Sequence, residues 1–163
     1  MADGSGADDR RLTADVVLFT KRGGVLAVLV VERGKEPFRG ALALPGGFVE
    51  PGERAADAAV RELAEEAGIV LARDRLRRFG CYRERGRDPR GVVESVAFHA
   101  YVPGAPVPQG GGDAAGARWV TLAELFEAVI AFDHRRIVTD AVASRFGFQA
   151  RMESLADAHF SDQ

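Results

Sequence analysis

The stretch RELAEEAG, residues 61–68, restricts the fold more than any other part of the chain. Residues 54–67 are rich in Ala, Glu and Leu and hold neither Gly nor Pro, which predicts a helix that Gly68 stops. At about 100° per residue, with Arg61 set at zero, Glu65 falls at roughly 40°, Glu62 at roughly 100° and Glu66 at roughly 140°. Ala59, Leu63 and Ala67 fall on the other side, where they can pack into a core. One face must therefore be buried, while the other carries three like charges close together. An i, i+4 pair between Arg61 and Glu65 contributes only about 0.2–0.5 kcal/mol, which leaves the repulsion between Glu65 and Glu66 unrelieved. Immediately upstream, PGGFVEPGE supplies tight turns at Gly46, Gly47 and Gly52 and places Glu53 at the helix mouth. A glycine-rich loop leading into an acid-faced helix is an all-oxygen cage. Such a cage suits a hard divalent cation, which would relieve the crowding.

The rest of the chain predicts strands at 14–19 and 25–31, joined by TKRGG as a hairpin, with a short run ALAL at 41–44. Further strands are expected at 76–84, at 95–102 and around Trp119. Thr121 and Glu124 form a capping-box pattern ahead of TLAELFEAV. Asp133 is placed to cap a last helix that carries Ile137, Val138, Ala141 and Val142 on one side. Strands and helices mingle without regular βαβ alternation, so an α/β (α+β) domain with one mixed sheet is expected. Its bounds are 13–148, between a disordered tail at 1–12 and a frayed one at 149–163. A net charge of −2 gives no electrostatic footprint for nucleic acid or an anionic membrane. No apolar run is long enough for a membrane span, and the acidic, Gly-rich start is not a secretory signal. Cys81 is the one cysteine, which excludes an intramolecular disulfide and suits a reducing, cytoplasmic setting.

From Gly47 to Ile69 the chain resembles the Nudix family. The box Gly-x5-Glu-x7-Arg-Glu-U-x-Glu-Glu-x-Gly-U, with U bulky and aliphatic, is matched at every position. The matching residues are Gly47, Glu53, Arg61, Glu62, Leu63, Glu65, Glu66, Gly68 and Ile69. The resemblance implies an α/β/α sandwich with a mixed sheet. It also implies hydrolysis of a nucleoside diphosphate linked to another group, with Mg²⁺ or Mn²⁺ as cofactor. It makes Glu65 and Glu66 metal ligands, adds Glu62 and the Gly47 carbonyl to that set, and makes Arg61 a structural partner of a glutamate such as Glu53. The general base in this family often lies outside the box. Candidates are Asp113 in the loop GGGDAAGA, Glu94, and Glu62 inside the box.

The flanks EPFRGALALPGGFVEPGE, RDPRGVVESVAFHAYV, GDAAGARWVTLAELF and AFDHRRIVTDAV resemble a bacterial branch close to ADP-ribose pyrophosphatases. Leu42 stands where that branch often has tryptophan, and Gly116 where it often has glutamate. The diphosphate would need guanidinium groups, for which Arg39, Arg83, Arg87 and Arg90 lie near strand ends. Phe48 is the candidate aromatic surface for the base, with Phe19 and Phe38 also available, and His134 is a further candidate for ligand contact. The implied partner is a small nucleotide diphosphate rather than nucleic acid or membrane, and relatives are often homodimers. The alternatives are (d)NTPs, another nucleotide sugar, or a non-catalytic ADP-ribose sensor. The sensor is disfavoured by the intact box and by the roughly fifteen residues that follow the last predicted helix.

Overall fold

The structure, a computed structural model, describes residues 10–159, with side chains described as far as residue 147. Seven strands form one mixed sheet: β1 (Arg11–Arg22), β2 (Val25–Arg33), β3 (Leu42–Ala43), β4 (Gly46–Phe48), β5 (Arg77–Tyr82), β6 (Val93–Tyr101) and β7 (Ala114–Thr121). The helices are α1 (Ala55–Ala67), α2 (Leu122–Glu127) and α3 (His134–His159). β1 and β2 form the expected antiparallel hairpin, but only next to its turn, from Phe19↔Val28 to Arg22↔Val25. Beyond that the two strands part. The outer edge of β1 is taken by β6, parallel, from Arg11↔Val93 to Phe19↔Tyr101. The outer edge of β2 is taken by β7. A strand has only two edges, so β4, which pairs Thr13, Ala14 and Asp15, and β3, which pairs Val31 and Glu32, must both lie inside the opened hairpin. Residues 42–48 are thus a wedge driven between β1 and β2, fixed by the Val16 N–H donating to the Pro45 carbonyl at 2.9 Å.

Side chains alternate across the sheet. Val16, Leu18, Ala27 and Leu29 pack with Ala58, Ala59, Leu63 and Ala67 of α1 in one core layer. Val17, Phe19, Val28 and Val30 pack with Leu122, Leu125, Ile137, Val138, Ala141 and Val142 of α2 and α3 in the other. This is the α/β/α sandwich. The residues expected on the apolar sides of α1 and α3 are the ones buried there.

The structure departs from the sequence reading most at four places. β1 begins at Arg11, so Arg11 and Leu12 belong to the sheet rather than to the tail, through pairing with Val93 and Glu94; residues 1–9 of the expected tail lie outside the described residues. β4 was not expected, because Gly46 and Gly47 have low strand propensity; the wedge imposes it. β7 begins at Ala114, within the stretch read as loop, because β2 offers it an edge. Beyond a break at Gly147, with φ 83° and ψ 173°, the backbone is helical again as far as His159, where fraying is expected from Gln149; residues 160–163 lie outside the described residues. The capping box is present: Thr121 Oγ1 accepts from the Glu124 N–H at 3.2 Å, and Glu124 Oε2 accepts from the Thr121 N–H at 2.6 Å. Asp133 precedes α3 as expected, but its carboxylate accepts from Arg87 instead. Among the described residues, no helix is long and apolar enough to cross a membrane.

Gly68 closes α1 in the left-handed region at φ 66°, and its N–H donates to the Ala64 carbonyl. A Cβ there would stand 3.2 Å from Gln109. Gly68→Ala should therefore destabilise the domain by about 1–2 kcal/mol, read by urea unfolding; unchanged stability would show that the helix end tolerates another geometry.

Candidate active site

The wedge determines where α1 can sit. A Cβ on Gly46 would come within 2.4 Å of both the Ala14 carbonyl and Asp15 Oδ1, and one on Gly47 within 2.4 Å of Glu62 Oε1. Without side chains at these positions, the loop lies flat between β1 and the acidic face of α1. Arg61 fastens the two together. Its Nε and Nη2 donate to the two oxygens of Glu53 at 2.9 and 3.1 Å, its Nη1 to Glu62 Oε1 at 2.7 Å, and its Nη2 to the Phe48 carbonyl at 3.1 Å. The bonds from Glu53 foremost, followed by Glu62, outweigh burial and raise the guanidinium's pKa. In return, Arg61 lowers that of Glu53.

Above this clamp lies a cleft of about 290 Å³. Its acidic side holds Glu62, Glu66, Glu50 and Asp15. Glu66 is 9% exposed, and its carboxyl is pushed up to about 8, first by burial and then by the charges of Glu62 and Asp15, with the Gly46 N–H opposing. Asp15 is buried under the loop. Ser95 Oγ donates to its Oδ2, and its Oδ1 faces His134 Nε2 at 3.7 Å. His134 Nδ1 accepts the Leu44 N–H at 3.0 Å, so the neutral ring carries its proton on Nε2, toward Asp15. Burial keeps that ring neutral by lowering its pKa.

The facing side is basic. Arg33, Lys35, Arg87 and Arg90 line it together with Phe48 and Phe132. Arg87 is nearly buried and grips Asp133 with Nε and Nη2 at 2.9 and 2.7 Å. Arg90 is held by Asp88, Lys35 meets Asp113, and Arg33 Nε donates to the Pro37 carbonyl at 2.6 Å.

Of the residues singled out in the sequence, the cleft brings together Gly47, Phe48, Arg61, Glu62, Glu66, Arg87, Arg90, Asp113 and His134. Glu53 stands behind it, on Arg61. Glu65 is outside, half exposed and 3.5 Å from Arg61. Arg39 and Arg83 are exposed away from the cleft. Glu94 accepts from the Cys81 thiol at 2.7 Å on another part of the sheet, and Phe19 is core. Phe38 sits edge-on to Phe132. Sequence reasoning missed Asp15, Arg33, Lys35, Asp88 and Phe132. A signal existed for Asp15, a lone carboxylate inside the apolar run ADVVLF.

Among the described residues, no three His, Cys, Asp or Glu side chains form a ready-made metal cage. The donor chemistry nevertheless fits a divalent cation. Glu62 stands beside buried Glu66, and its charge is one of the causes that raise the Glu66 carboxyl, so two oxygen donors are crowded together in a way that a divalent cation between them would relieve.

The sequence profile of the NUDIX domain matches residues 9–141. The ADP-ribose pyrophosphatase of Methanocaldococcus jannaschii is 42% identical over 113 residues, covering 69% of this chain and 64% of that protein. The ADPR responsive transcriptional repressor NtrR of Acinetobacter baylyi is 31% identical over 134 residues, covering 81% and 53%. The chain thus spans between about half and two-thirds of the length of these curated relatives. Among solved structures, the NUDIX domain of Shewanella oneidensis NrtR complexed with ADP ribose superposes with a TM-score of 0.79 at 29% identity, covering 88% of this chain and 93% of that one. A bifunctional NMN adenylyltransferase/ADP ribose pyrophosphatase from Francisella tularensis, complexed with AMP and a Mn ion, gives 0.73 at 26% identity, covering 83% and 42%.

Glu66 yields a pH prediction. Its folded pKa of about 8 lies above the ordinary 4.5, so without metal the folded state holds the proton more tightly than the unfolded state. Stability is then lost as pH rises from about 4.5 to about 8. Burial of His99 and His134 acts in the opposite sense, so the comparison is with Glu66→Gln, which keeps both. In EDTA, wild type should lose on the order of 3 kcal/mol relative to Glu66→Gln between pH 5 and 8.5, and Mg²⁺ should reduce the loss. Parallel urea-stability curves would contradict this.

Proposed function

The chain belongs to the NUDIX domain family, and from that premise we propose that it is a divalent-metal-dependent hydrolase of nucleoside diphosphates, converting ADP-ribose and water to AMP and ribose 5-phosphate. The observation that carries the reading is the two-sided cleft. Glu62 and buried Glu66 of α1 share the cleft with four cationic side chains, around a space with room for a diphosphate.

In this reading Glu62, Glu66 and the Gly47 carbonyl would hold Mg²⁺ or Mn²⁺, with Glu65, which stands outside the cleft, joining from its margin. When bound, the cation neutralises phosphate oxygens and makes a bound water more acidic. The remaining work falls to the chain. Arg61 fixes Glu62 and, through the Phe48 carbonyl, the loop beside it. The pair of Asp15 and His134 holds the loop from below, through Leu44. Arg33 and Arg90 offer planar donors for the phosphate oxygens. Water adds to a phosphorus, one P–O bond of the diphosphate breaks, and a carboxylate accepts the water's proton. Of the three candidate bases, Glu62 is favoured. It stands on the acidic side of the cleft, whereas Asp113 is largely exposed and Glu94 lies away from the cleft.

A second reading, an ADP-ribose sensor, is favoured by the likeness to the ADP-ribose-bound NrtR domain and to the repressor NtrR. The complete set of glutamates Glu62, Glu65 and Glu66 favours hydrolysis.

With excess Mg²⁺, a panel of ADP-ribose, a nucleotide sugar, NADH, a dinucleoside polyphosphate and the dNTPs should release AMP fastest from ADP-ribose, with products separated by chromatography. Glu66→Gln should lower kcat about a hundredfold or more. Preference for another diphosphate would change the substrate and keep the reaction. Binding of ADP-ribose with no turnover of any compound would establish the sensor.

A further inference from the structure

On the basic side of the cleft, cations and aromatic rings alternate in a stack. Arg11 lies 4.6 Å and Arg90 4.7 Å from the ring centre of Phe48. Arg90 is also 5.2 Å from the ring of Phe132, over which Arg33 stands at 4.9 Å. Phe38 braces Phe132 edge-on, with centroids 4.9 Å apart. Phe38 and Phe132 both have left-handed backbone, φ 62° and 53°. Bulky residues avoid this conformation, and the surrounding structure must impose it. The ring of Phe132 is therefore held in place rather than left to find its own position.

Arg90 bridges the two rings as a single flat group. Asp88 accepts from its Nε at 2.9 Å and from its Nη2 at 2.6 Å. The Arg90 backbone N–H also donates to Asp88 at 2.9 Å, so this buried carboxylate keeps a partner if the side chain leaves. The Arg90 side chain is 30% exposed and has solvent to move into. Its distances to both rings fall within the roughly 4.5–7 Å at which one aromatic ring meets another. A flat heterocycle can take the place of the guanidinium with both rings where they stand.

We infer that Arg90 is a specificity-determining residue that fills, in the free protein, the slot of the substrate's nucleobase between Phe48 and Phe132, and turns onto the phosphates when the base enters. The nucleotide nature of the ligand rests on the proposed function; the slot itself rests on the stack. The entering base gains the stacking on both rings, and what Arg90 gives up, its ring contacts and its side-chain bonds to Asp88, is offset when the displaced fork meets phosphate oxygens, which it matches. A nucleoside without phosphate must evict Arg90 and give it no new partner. A phosphate without a base leaves Arg90 in its slot. Only a ligand with both parts completes the exchange, so the cleft selects nucleotides over either fragment.

The exchange predicts shifts of opposite sign, read by calorimetry with the full chain in EDTA. In Arg90→Ala the slot is already open, so adenosine should bind about two- to fivefold more tightly. AMP, having lost its phosphate partner, should bind about tenfold more weakly. Arg90→Lys keeps the charge and lacks the flat fork, so both shifts should keep their direction and shrink. Phe48→Leu should weaken both ligands together. Adenosine that binds Arg90→Ala no more tightly than wild type would overturn the inference. If wild type hydrolyses ADP-ribose while the opposite shifts are missing, the slot alone is refuted. If the opposite shifts appear in a protein that hydrolyses no nucleoside diphosphate, the slot stands and the proposed activity falls.

Discussion

Everything in this domain that bears on chemistry depends on the opening of one hairpin. β1 and β2 share hydrogen bonds only beside their turn, and the backbone groups they would otherwise give each other are satisfied by residues 42–48. Buried amides and carbonyls need partners, so the wedge cannot shift without leaving several unpaired. That requirement brings Gly46 against Asp15 and Gly47 against Glu62, contacts that any side chain would prevent. The acid-faced helix, the loop and the central strand then meet at one place. Arg61 secures the junction by bonding carboxylates of loop and helix and the Phe48 carbonyl at once.

The cleft's two sides are built on different electrostatic terms. On the basic side Arg87, Arg90 and Lys35 each have a carboxylate partner, and these pairs fix the positions of the loops. Arg33 differs. Its hydrogen bond goes to a carbonyl, and its pKa is lowered by burial and then by Arg90. On the acidic side Glu66 is buried next to Glu62 and Asp15, and burial first, then those charges, raise its pKa. The basic side is thus largely paired. The other retains an electrostatic strain that a cation would relieve.

The extent to which this was legible in the sequence varies with the range of the interaction. α1, its buried residues and its acidic face follow from helical period alone, and the capping box at Thr121 from four adjacent residues. The hairpin turn at Gly23 and Gly24 is equally local. The wedge is not, since nothing in ALALPGGF says that two strands will open to admit it. β4 and the early start of β7 exist because partners distant in the chain offer an edge. The site divides along the same line. Glu62, Glu66, Arg61 and Gly47 lie within one short motif, whereas Asp15, Arg33, Asp88 and Phe132 join them only through the fold. Arg39 and Arg83 have the right chemistry near strand ends, yet they point elsewhere, and sequence spacing holds no information about that.

The parallel pairing of β1 with β6 has a consequence for how the protein is made. Ser95 and Asp15, partners at the base of the cleft, are 80 residues apart in the chain. At about 5–20 residues per second of synthesis, β6 follows β1 by roughly 4 to 16 seconds. Throughout that interval the outer edge of β1 is open, and the helical layer of α2 and α3, against which one face will close, has not been made. Such an edge invites pairing with other chains. A central strand of the finished domain thus precedes its edge partner by most of the domain's synthesis, which makes the nascent chain a stage at which this protein is open to aggregation.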